Sequence, residues 1–216
     1  KRQHYILGQT NTNFNCSISA FSSQKRRICS TQCDHNNLSD THLITYAKTE
    51  LDSHADSIVA GSNCCIMHYT NRECDVSPYR DDYAPIKNVP IVQAATAYQS
   101  KYTGQVYILI LNEALWMGDS MQHTLVNPNQ LRYFGTKVQD NPTSDEPLHL
   151  MTEDHKFNLE LEMNGTVIFA ETHTPSAKER HECPHIVLSS PHEWNPQKVK
   201  FHSQSRAFQD EMQLNY

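Results

Sequence analysis

Residues 50–59 of the chain read Glu50-Leu51-Asp52-Ser53-His54-Ala55-Asp56-Ser57-Ile58-Val59. A hydrophobic run leads into Asp-Ser, a turn follows, and after Ala-Asp the chain returns to residues that favour strands. The order predicts that the Asp52 carboxylate lies at the corner where a strand enters a turn. Two such carboxylates that face each other share one proton, because like charges so close cannot both ionise. One then acts as a base and the other as an acid toward a water molecule.

This block resembles the Leu-Asp-(Thr/Ser)-Gly-Ala-Asp signature of the retropepsin-like aspartic proteases. The resemblance implies that Asp52 is catalytic and that Ser53 supplies the hydroxyl that interlocks two active-site loops. It also implies that Ala55 and Asp56 line the site and hold the substrate backbone. The family has Gly where this chain has His54, and glycine often permits a close backbone approach. We therefore expect the His54 side chain to affect activity more than fold, and we include it among the substrate-binding candidates.

A second block lies downstream, in the stretch Leu111–Met117 followed by His123–Leu131 and Gly135. It resembles the pattern of copia-type proteases, in which a strand and Leu-Tyr-(Val/Met)-Pro precede Asn-Leu-Leu-Ser-x-x-Gln-Leu and a Gly. In that family the segment forms a late strand and the helix of the protease. Gly118 replaces the Pro of the pattern and Asn127 replaces the Ser. The resemblance covers roughly residues 42–135 and reaches residue 173 at its furthest.

Several short runs between and around these blocks are typical of strands. We predict strands at 42–46, 57–60, 89–92 and 105–111, with residues 99–104 as the tip of a hairpin. Residues 92–110 are thus the candidate flap hairpin over the site. This hairpin supplies three further candidate substrate-binding residues, which are Tyr98, Tyr102 and Gly104.

One short helix is predicted after the second block. Asn127 suits the N-cap, Pro128 suits the first helical position, and Gln130 completes a capping-box pattern. Gly135 can end the helix in a left-handed conformation. The Pro- and Asp-rich residues 136–147 that follow are predicted to be a loop.

The strict alternation of residues 157–163 predicts a half-buried strand. Asn164-Gly165 then predicts a type I′ turn, and residues 166–170 a return strand. Residues from 197 onward are polar and predict a tail, with a short helix at 207–214.

Composition restricts the classes of partner. The net charge of the 216 residues is −6, so the chain has no general attraction to nucleic acid or anionic membranes. The few basic residues in the polar stretch 1–40 predict a solvated arm, and no apolar run is long enough to span a membrane. The seven cysteines are odd in number and form no double CxxC pattern. They favour free thiols in a reducing, intracellular and cytoplasmic setting.

Other constellations are weaker. Zinc ligation by Cys29, Cys33, His35 and His42 lacks the tight, repeated spacing of knuckle sites. Asp52, His54 and Asp56 alternate along the chain and could join His68 around a metal. A Cys183–His185 nucleophile pair is interpreted as incidental. Asp119-Ser120 fits a polar turn better than a second active-site motif. We expect no metal and no cofactor.

These observations predict an all-β, retropepsin-like closed β-barrel with a flap hairpin, one short helix and polar extensions at both ends. The expected division is an arm at 1–40, a retropepsin-like domain at 41–173, and a C-terminal extension or polyprotein linker at 174–216. Because only one Asp motif is credible, a working site requires a homodimer. The expected activity is endopeptidase cleavage of a peptide or polyprotein substrate. The alternatives are a domesticated, inactive fold that serves as a structural subunit of a larger assembly, and an unrelated β-rich binding protein.

Overall fold

The computed structural model describes residues 46–77 and 84–201 of the chain. The predicted arm at 1–40, the zinc candidates Cys29, Cys33, His35 and His42, and the predicted helix at 207–214 lie outside the described residues. Of the strand predicted at 42–46, only Tyr46 is described.

The described part is mostly β-sheet, which confirms the all-β class. Its strands are β1 Tyr46–Leu51, β2 Val59–Gly61, β3 Cys65–Val76, β4 Ile86–Gln99, β5 Val106–Gly118, β6 Thr124–Val126, β7 Lys137–Gln139, β8 His149–Met151, β9 Asn158–Glu160, β10 Glu162–Asn164, β11 Val167–His173 and β12 His185–Val187. Its helices are α1 Pro128–Phe134 and α2 Ala177–Glu182. No helix in these ranges is both long and apolar enough to cross a membrane.

Nine strands form the larger sheet, in the order β10-β11-β1-β6-β2-β5-β4-β3, with β12 paired to β5. Strand β6 lies between β1, to which it is parallel, and β2, to which it is antiparallel. Strands β1 and β2, which precede and follow the Asp52 loop, therefore both pair with β6. A single pairing, His173 with Ala97, joins β11 to β4. The sheet curls toward itself there without a continuous closing ladder, and the closed barrel remains a prediction.

The hairpin predicted at 92–110 is confirmed. Strands β4 and β5 pair antiparallel from Ile91–Leu115 to Gln99–Val106, and residues 100–105 connect them. The ladder shifts register between Val92 and Ala94, opposite Glu113, which has a φ of 54°. This irregularity reverses which side chains of β5 face inward.

Two of the three apolar clusters of the described residues lie on opposite faces of the sheet. The main core holds, among others, Ile58, Leu111, Val126 and Leu131, each 1 % exposed or less. A second cluster consists of Val59, Val76, Val89, Leu115 and Leu125. Val126 belongs to the first cluster and its neighbour Leu125 to the second, and successive strand residues point to opposite faces. The second cluster therefore lies on the other face of the sheet.

The helix prediction is confirmed at α1. The Asn127 side chain accepts a hydrogen bond from the Gln130 backbone N–H at 2.8 Å, and Gly135 ends the helix with a φ of 101°. The capping-box prediction is wrong, because the Gln130 side chain does not return to the cap. It accepts a bond from the Ile58 N–H at 2.8 Å instead.

Two predictions downstream are corrected. Residues 136–147 are not wholly a loop, because β7 lies in them and pairs with β8 in a separate three-stranded sheet, β7-β8-β9. The strand predicted at 157–163 is broken at Leu161, so that β9 joins the small sheet and β10 the large one. Leu159 and Leu161 are both buried, at 1 % and 6 % exposure, so the alternation of residues continues through the break and hides it.

The turn after β10 also differs from its prediction. Asn164 pairs with Val167, so the turn residues are Gly165 and Thr166. Gly165 has a φ of 62°, whereas Thr166 is not among the described residues with positive φ. A type I′ turn needs positive φ at both positions, and Gly at the first alone is typical of type II′.

Two elements after residue 173 were not predicted. Helix α2 begins at a capping box between Ser176 and Glu179, and β12 pairs parallel to the first half of β5. Leu188, just after β12, is 2 % exposed and belongs to the main core. The larger sheet and its core therefore continue past the boundary expected at residue 173.

Candidate active site at the Asp52 loop

Asp52 directly follows β1, as the sequence predicts. Its backbone N–H donates to the Val126 carbonyl at 3.0 Å, which extends the β1–β6 pairing by one residue. Its carboxylate oxygen Oδ1 accepts the backbone N–H of His54 at 2.8 Å, and the residue is 9 % exposed. The carboxylate is thus oriented by the backbone of its own loop.

The loop is held from behind by the second sequence block. The Asn127 side-chain amide donates to the Ala55 carbonyl. Gln130 accepts the Ile58 N–H, and its amide donates to the carbonyls of Asn112 and Glu113, each at 3.3 Å. One glutamine therefore joins the Asp52 loop to the bulge of β5, and the two blocks recognised separately in the sequence meet in space.

His54 replaces the expected glycine without a positive φ. The described residues with positive φ other than glycine are Asn71, Asn88, Glu113 and His155. The His54 side chain is 69 % exposed, and its Nδ1 lies 3.7 Å from Asp52 Oδ1. The backbone at this position accepts a side chain, and the imidazole lies at the solvent side of the carboxylate in the single chain.

The remaining loop candidates differ in exposure. Ala55 is buried, whereas Ser53 and Asp56 are exposed. Asp56 Oδ1 accepts the Ser57 hydroxyl at 3.0 Å, and the Asp56 carbonyl accepts the indole N–H of Trp194 at 2.9 Å. The structure therefore brings Asp52, Ser53, His54, Ala55 and Asp56 together in one loop.

Tyr98, Tyr102 and Gly104 are not brought to this loop. Tyr98 pairs with Tyr107 on β5, whereas Val59, which follows the Asp52 loop, pairs with Leu115. Eight residues separate the two positions of β5, a span of roughly 26 Å. The tip that carries Tyr102 and Gly104 lies farther still along the hairpin.

Other contacts agree with this placement. Ala97 pairs with His173, which pairs with Tyr46 at the start of β1, the end opposite to Asp52. A hydrogen bond to Glu160 raises the pKa of Tyr102. The β4–β5 hairpin thus points away from Asp52 within the chain, and the expectation that it forms a flap over this loop is corrected.

Strands β3 and β4 approach the Asp52 loop with their paired ends. Val76 of β3 pairs with Ile86 of β4, and Val76 shares the second apolar cluster with Val59. Burial chiefly, and next the negative charge of Asp56, raise the pKa of the Cys74 thiol. The ends of β3 and β4 that pair at Val76 and Ile86 therefore lie close to the Asp52 loop.

Glu50 is a residue of the site that the sequence analysis missed. It pairs with Leu125 of β6 and Phe169 of β11, and it is 4 % exposed. Its oxygen Oε1 is buried without a hydrogen-bond partner in the described part of the chain. Burial raises the pKa of Glu50, the Lys48 charge lowers it, and the Asp52 charge raises it further. The sequence carried one signal for Glu50. It lies two residues before Asp52, and residues two apart in a strand point to the same face.

A second buried acid, Glu113, supports the loop from the β5 bulge. Glu113 is 5 % exposed, forms an ion pair with Arg72 of β3, and accepts the Trp194 backbone N–H at 3.0 Å. Trp194 in turn contacts the Asp56 carbonyl, so the C-terminal segment, β3 and the Asp52 loop are connected. No sequence signal indicated this role, because it depends on contacts between distant segments.

The metal and thiol alternatives have no support in the described ranges. These residues contain no group of three or more His, Cys, Asp or Glu placed to hold a metal ion. His185 Nε2 contacts the Arg180 carbonyl at 2.8 Å, and Cys183 caps α2. Asp119 and Ser120 form the expected turn, in which the Ser120 N–H donates to the Met117 carbonyl at 3.1 Å.

Comparison of the chain with protein-family models finds no match, and searches of curated proteins and of solved structures find none either.

Proposed function

We propose that the chain is one subunit of a homodimeric aspartic endopeptidase of the retropepsin-like, copia retrotransposon type. The observation that carries the proposal is the meeting of the two sequence blocks around Asp52. The Asp52 N–H bonds to Val126, Ala55 bonds to Asn127, and the Ile58 N–H bonds to Gln130. These contacts fix a carboxylate at a strand-to-loop corner, as an aspartic protease requires.

The proposed chemistry needs a second carboxylate, and a two-fold axis would supply Asp52 of another copy. The pair would hold one proton, so that the ionised member takes a proton from water while the protonated member donates to the substrate carbonyl. The water attacks the peptide carbon, and the amine leaves with a proton. No metal or cofactor takes part. Activity should be highest at mildly acid pH, where the pair holds a single proton.

The proposed substrate is a peptide segment of a polyprotein. The polyprotein that contains this chain is among the proposed substrates. A retropepsin-like closed barrel and a reducing, intracellular location belong to the same proposal. The free cysteines Cys64, Cys65, Cys74 and Cys183 of the described ranges are consistent with that location.

The test is cleavage of a peptide library by the full chain and by Asp52→Asn, together with sedimentation analysis of both. We expect wild-type cleavage that pepstatin inhibits, and loss of at least about a thousandfold in the variant, because an amide cannot act as the general base. The variant should keep the wild-type circular dichroism and dimer mass. A folded monomer with no cleavage at any pH would contradict the enzyme and favour the inactive structural module.

Two further variants separate roles within the loop. Ser53→Ala should raise the dimer dissociation constant, because the family resemblance gives this exposed hydroxyl the interlocking role. His54→Gly should change activity little if the imidazole stays at the solvent side, and should raise it if the imidazole blocks the cleft. The present geometry, with His54 69 % exposed, favours the small change.

A further inference from the structure

A groove of about 540 Å³ lies between β12 and the loop that joins β8 to β9. Its apolar floor includes Tyr107, Phe157 and Ile186. The ring centres of Tyr107 and Phe157 are 4.9 Å apart, and Phe157 is only 5 % exposed, so the packing of the main core holds the floor in place. The rim is accessible, because His185 and Val187 of β12 are exposed. The groove therefore presents apolar surface to a ligand through an open mouth.

Strand β12 forms one wall of this groove, and its outer edge is free. Within the described ranges β12 pairs only with β5. The Pro184 carbonyl and the Leu188 N–H bond to β5 at 2.9 and 3.0 Å. Alternate residues of a strand direct their backbone groups to alternate edges, so the N–H and C=O groups of His185 and Val187 face away from β5. No backbone hydrogen bond of the described ranges uses these outward groups, and such an edge can pair with another strand.

The free edge of β12 runs along the groove. All three residues of β12, at 185–187, line it. Successive side chains of a strand point to opposite faces, so a groove that contacts three consecutive residues follows the edge that they share. A peptide strand bonded to this edge would therefore lie over the apolar floor.

The opposite wall of the groove carries one acid without a compensating charge. Asp154 is paired with Lys156 at 3.2 Å, whereas Glu153 is exposed and belongs to none of the ion pairs of the described part. The Glu153 carboxylate lies beside Gly135 at the end of α1, where a Cβ would be 3.0 Å from Oε2. The carbonyl end of a helix is itself partly negative. This wall therefore favours a cationic group.

From the groove, the free edge and the unpaired acid, we infer a second binding site that takes an extended peptide segment of a partner protein, with a Lys or Arg two residues from an apolar residue. The segment adds a strand to β12, and its main chain bonds to the outward groups of His185 and Val187. Because β12 has three residues, about three residues of the segment pair with it, and two of their side chains face the groove. The apolar one covers the floor, and the cation faces Glu153.

This site is separate from the Asp52 loop. Strand β12 pairs with residues 108–110 of β5, whereas Val59, which follows the loop, pairs with Leu115. The inference therefore does not depend on the proposed endopeptidase, and the test needs no cleavage.

The probes are two fluorescein-labelled heptapeptides, Ser-Val-Lys-Thr-Leu-Val-Ser and Ser-Val-Leu-Thr-Lys-Val-Ser, because the free edge admits either strand direction. Fluorescence anisotropy follows their binding to the full chain. We expect at least one to bind with a Kd below about 1 mM. Norleucine in place of its Lys should weaken binding about fivefold or more, because the charge-assisted contact with Glu153 is lost. Saturable binding by neither peptide would overturn the inference.

Two pairs of variants locate the bound peptide. Glu153→Gln should remove the preference for Lys over norleucine, whereas Glu171→Gln, which removes an exposed acid of β11, should keep it. Val187→Pro removes one outward N–H and should weaken binding about fivefold or more, whereas Val187→Ala keeps that N–H and should weaken it less. Proline is tolerated on an edge strand where the N–H faces outward, and circular dichroism shows that each variant is folded.

Peptide backbone methylation tests strand addition without any change to the protein. Alternate amides of the binding peptide are N-methylated in two complementary sets. One set should abolish binding, because its amides face β12, and the other should retain it. Equal effects of the two sets, or a Lys preference unchanged in Glu153→Gln, would overturn the inference. Sedimentation that shows self-association abolished by Val187→Pro, without peptide binding, would assign the edge to a second copy of the chain and also overturn it.

Discussion

At the scale of single residues, the Asp52 loop depends on side chains that each form hydrogen bonds with two separate parts of the chain. Asn127 accepts the Gln130 N–H with its oxygen and donates to Ala55 with its nitrogen. The same side chain therefore begins α1 and anchors the loop. A Ser at this place could cap the helix, but its side chain is shorter. Asn127 both caps the helix and contacts the loop.

Asn127→Ala should lower the free energy of unfolding by about 1–3 kcal/mol, because it removes the cap and leaves the Ala55 carbonyl without its partner. Chemical denaturation monitored by fluorescence measures the change. Asn129→Ala is the matched control, since Asn129 is exposed at the second position of α1 and its loss should cost less than about 0.5 kcal/mol. Equal effects of the two variants would contradict the dual role of Asn127.

Titration of Glu50 should make the free energy of unfolding depend on pH. Its pKa is raised in the folded chain, so the folded state binds the proton more tightly than the unfolded state does. As pH rises above 4.5, the ordinary pKa of a glutamate, the unfolded chain loses the proton first, and stability falls. Glu50→Gln lacks this titration. The stability of the variant relative to wild type should therefore increase as pH rises above 4.5.

Urea denaturation of both proteins at a series of pH values measures this difference. The matched control is Glu160→Gln, which removes an exposed glutamate of β9. A constant difference between Glu50→Gln and wild type across the range would show that Glu50 has an ordinary pKa.

At the scale of elements, the short helix α1 serves to fix strands that are far apart in sequence. Leu131 packs into the main core at 0 % exposure, while Gln130 reaches the Ile58 N–H and the carbonyls of the β5 bulge. The helix therefore supports the end of the Asp52 loop and the irregular part of β5 at once. A helix of seven residues is too short to be stable without such contacts.

Gln130→Ala should cost about 2–4 kcal/mol, because it leaves the buried Ile58 N–H and two carbonyls without this partner and creates a small cavity. Thermal or urea unfolding measures the cost, with the exposed Gln122→Ala as the control. If the endopeptidase is active, kcat should also fall, since the loop behind Asp52 loosens. A loss within about 0.5 kcal/mol would show that the three bonds do not hold the loop.

At the scale of the whole molecule, the C-terminal segment completes the sheet. Strand β12 occupies the edge of β5 at residues 108–110, and β2 occupies the same strand farther along, at Leu115 and Trp116. Ser189 then exchanges hydrogen bonds with the backbone of Asn112, with its hydroxyl accepting at 2.8 Å. The segment after residue 173 is thus joined to the strand that supports the site.

Leu188→Ala tests this integration. Leu188 is 2 % exposed in the main core, so truncation should cost about 2–5 kcal/mol and shift the single unfolding transition of the described fold. Val187→Ala is the matched control, because Val187 is 41 % exposed and should cost less than about 1 kcal/mol. A separate, unaffected transition for the rest of the chain would indicate that the segment folds independently.

The sequence by itself determined the features that depend on neighbours along the chain. The β-branched run of β5, the polar tip between β4 and β5, the Asn127 cap and the left-handed Gly135 each follow from preferences of a few consecutive residues. The strand-to-loop corner at Asp52 belongs to the same group. The capping box at Ser176 carried an equally local signal that was overlooked, whereas the second role of Gln130 had none.

Only the tertiary structure decided which distant segments meet. The break at Leu161 was hidden because Leu159 and Leu161 are both buried, so the alternation of apolar residues runs through the break. The direction of the β4–β5 hairpin, which takes Tyr98 away from Asp52, depends on strand order and register. The burial of Glu50 depends on Leu125 and Phe169 as partners. Such pairings join residues tens of positions apart, and they are set by the packing of whole sheets, on which local preferences carry no information.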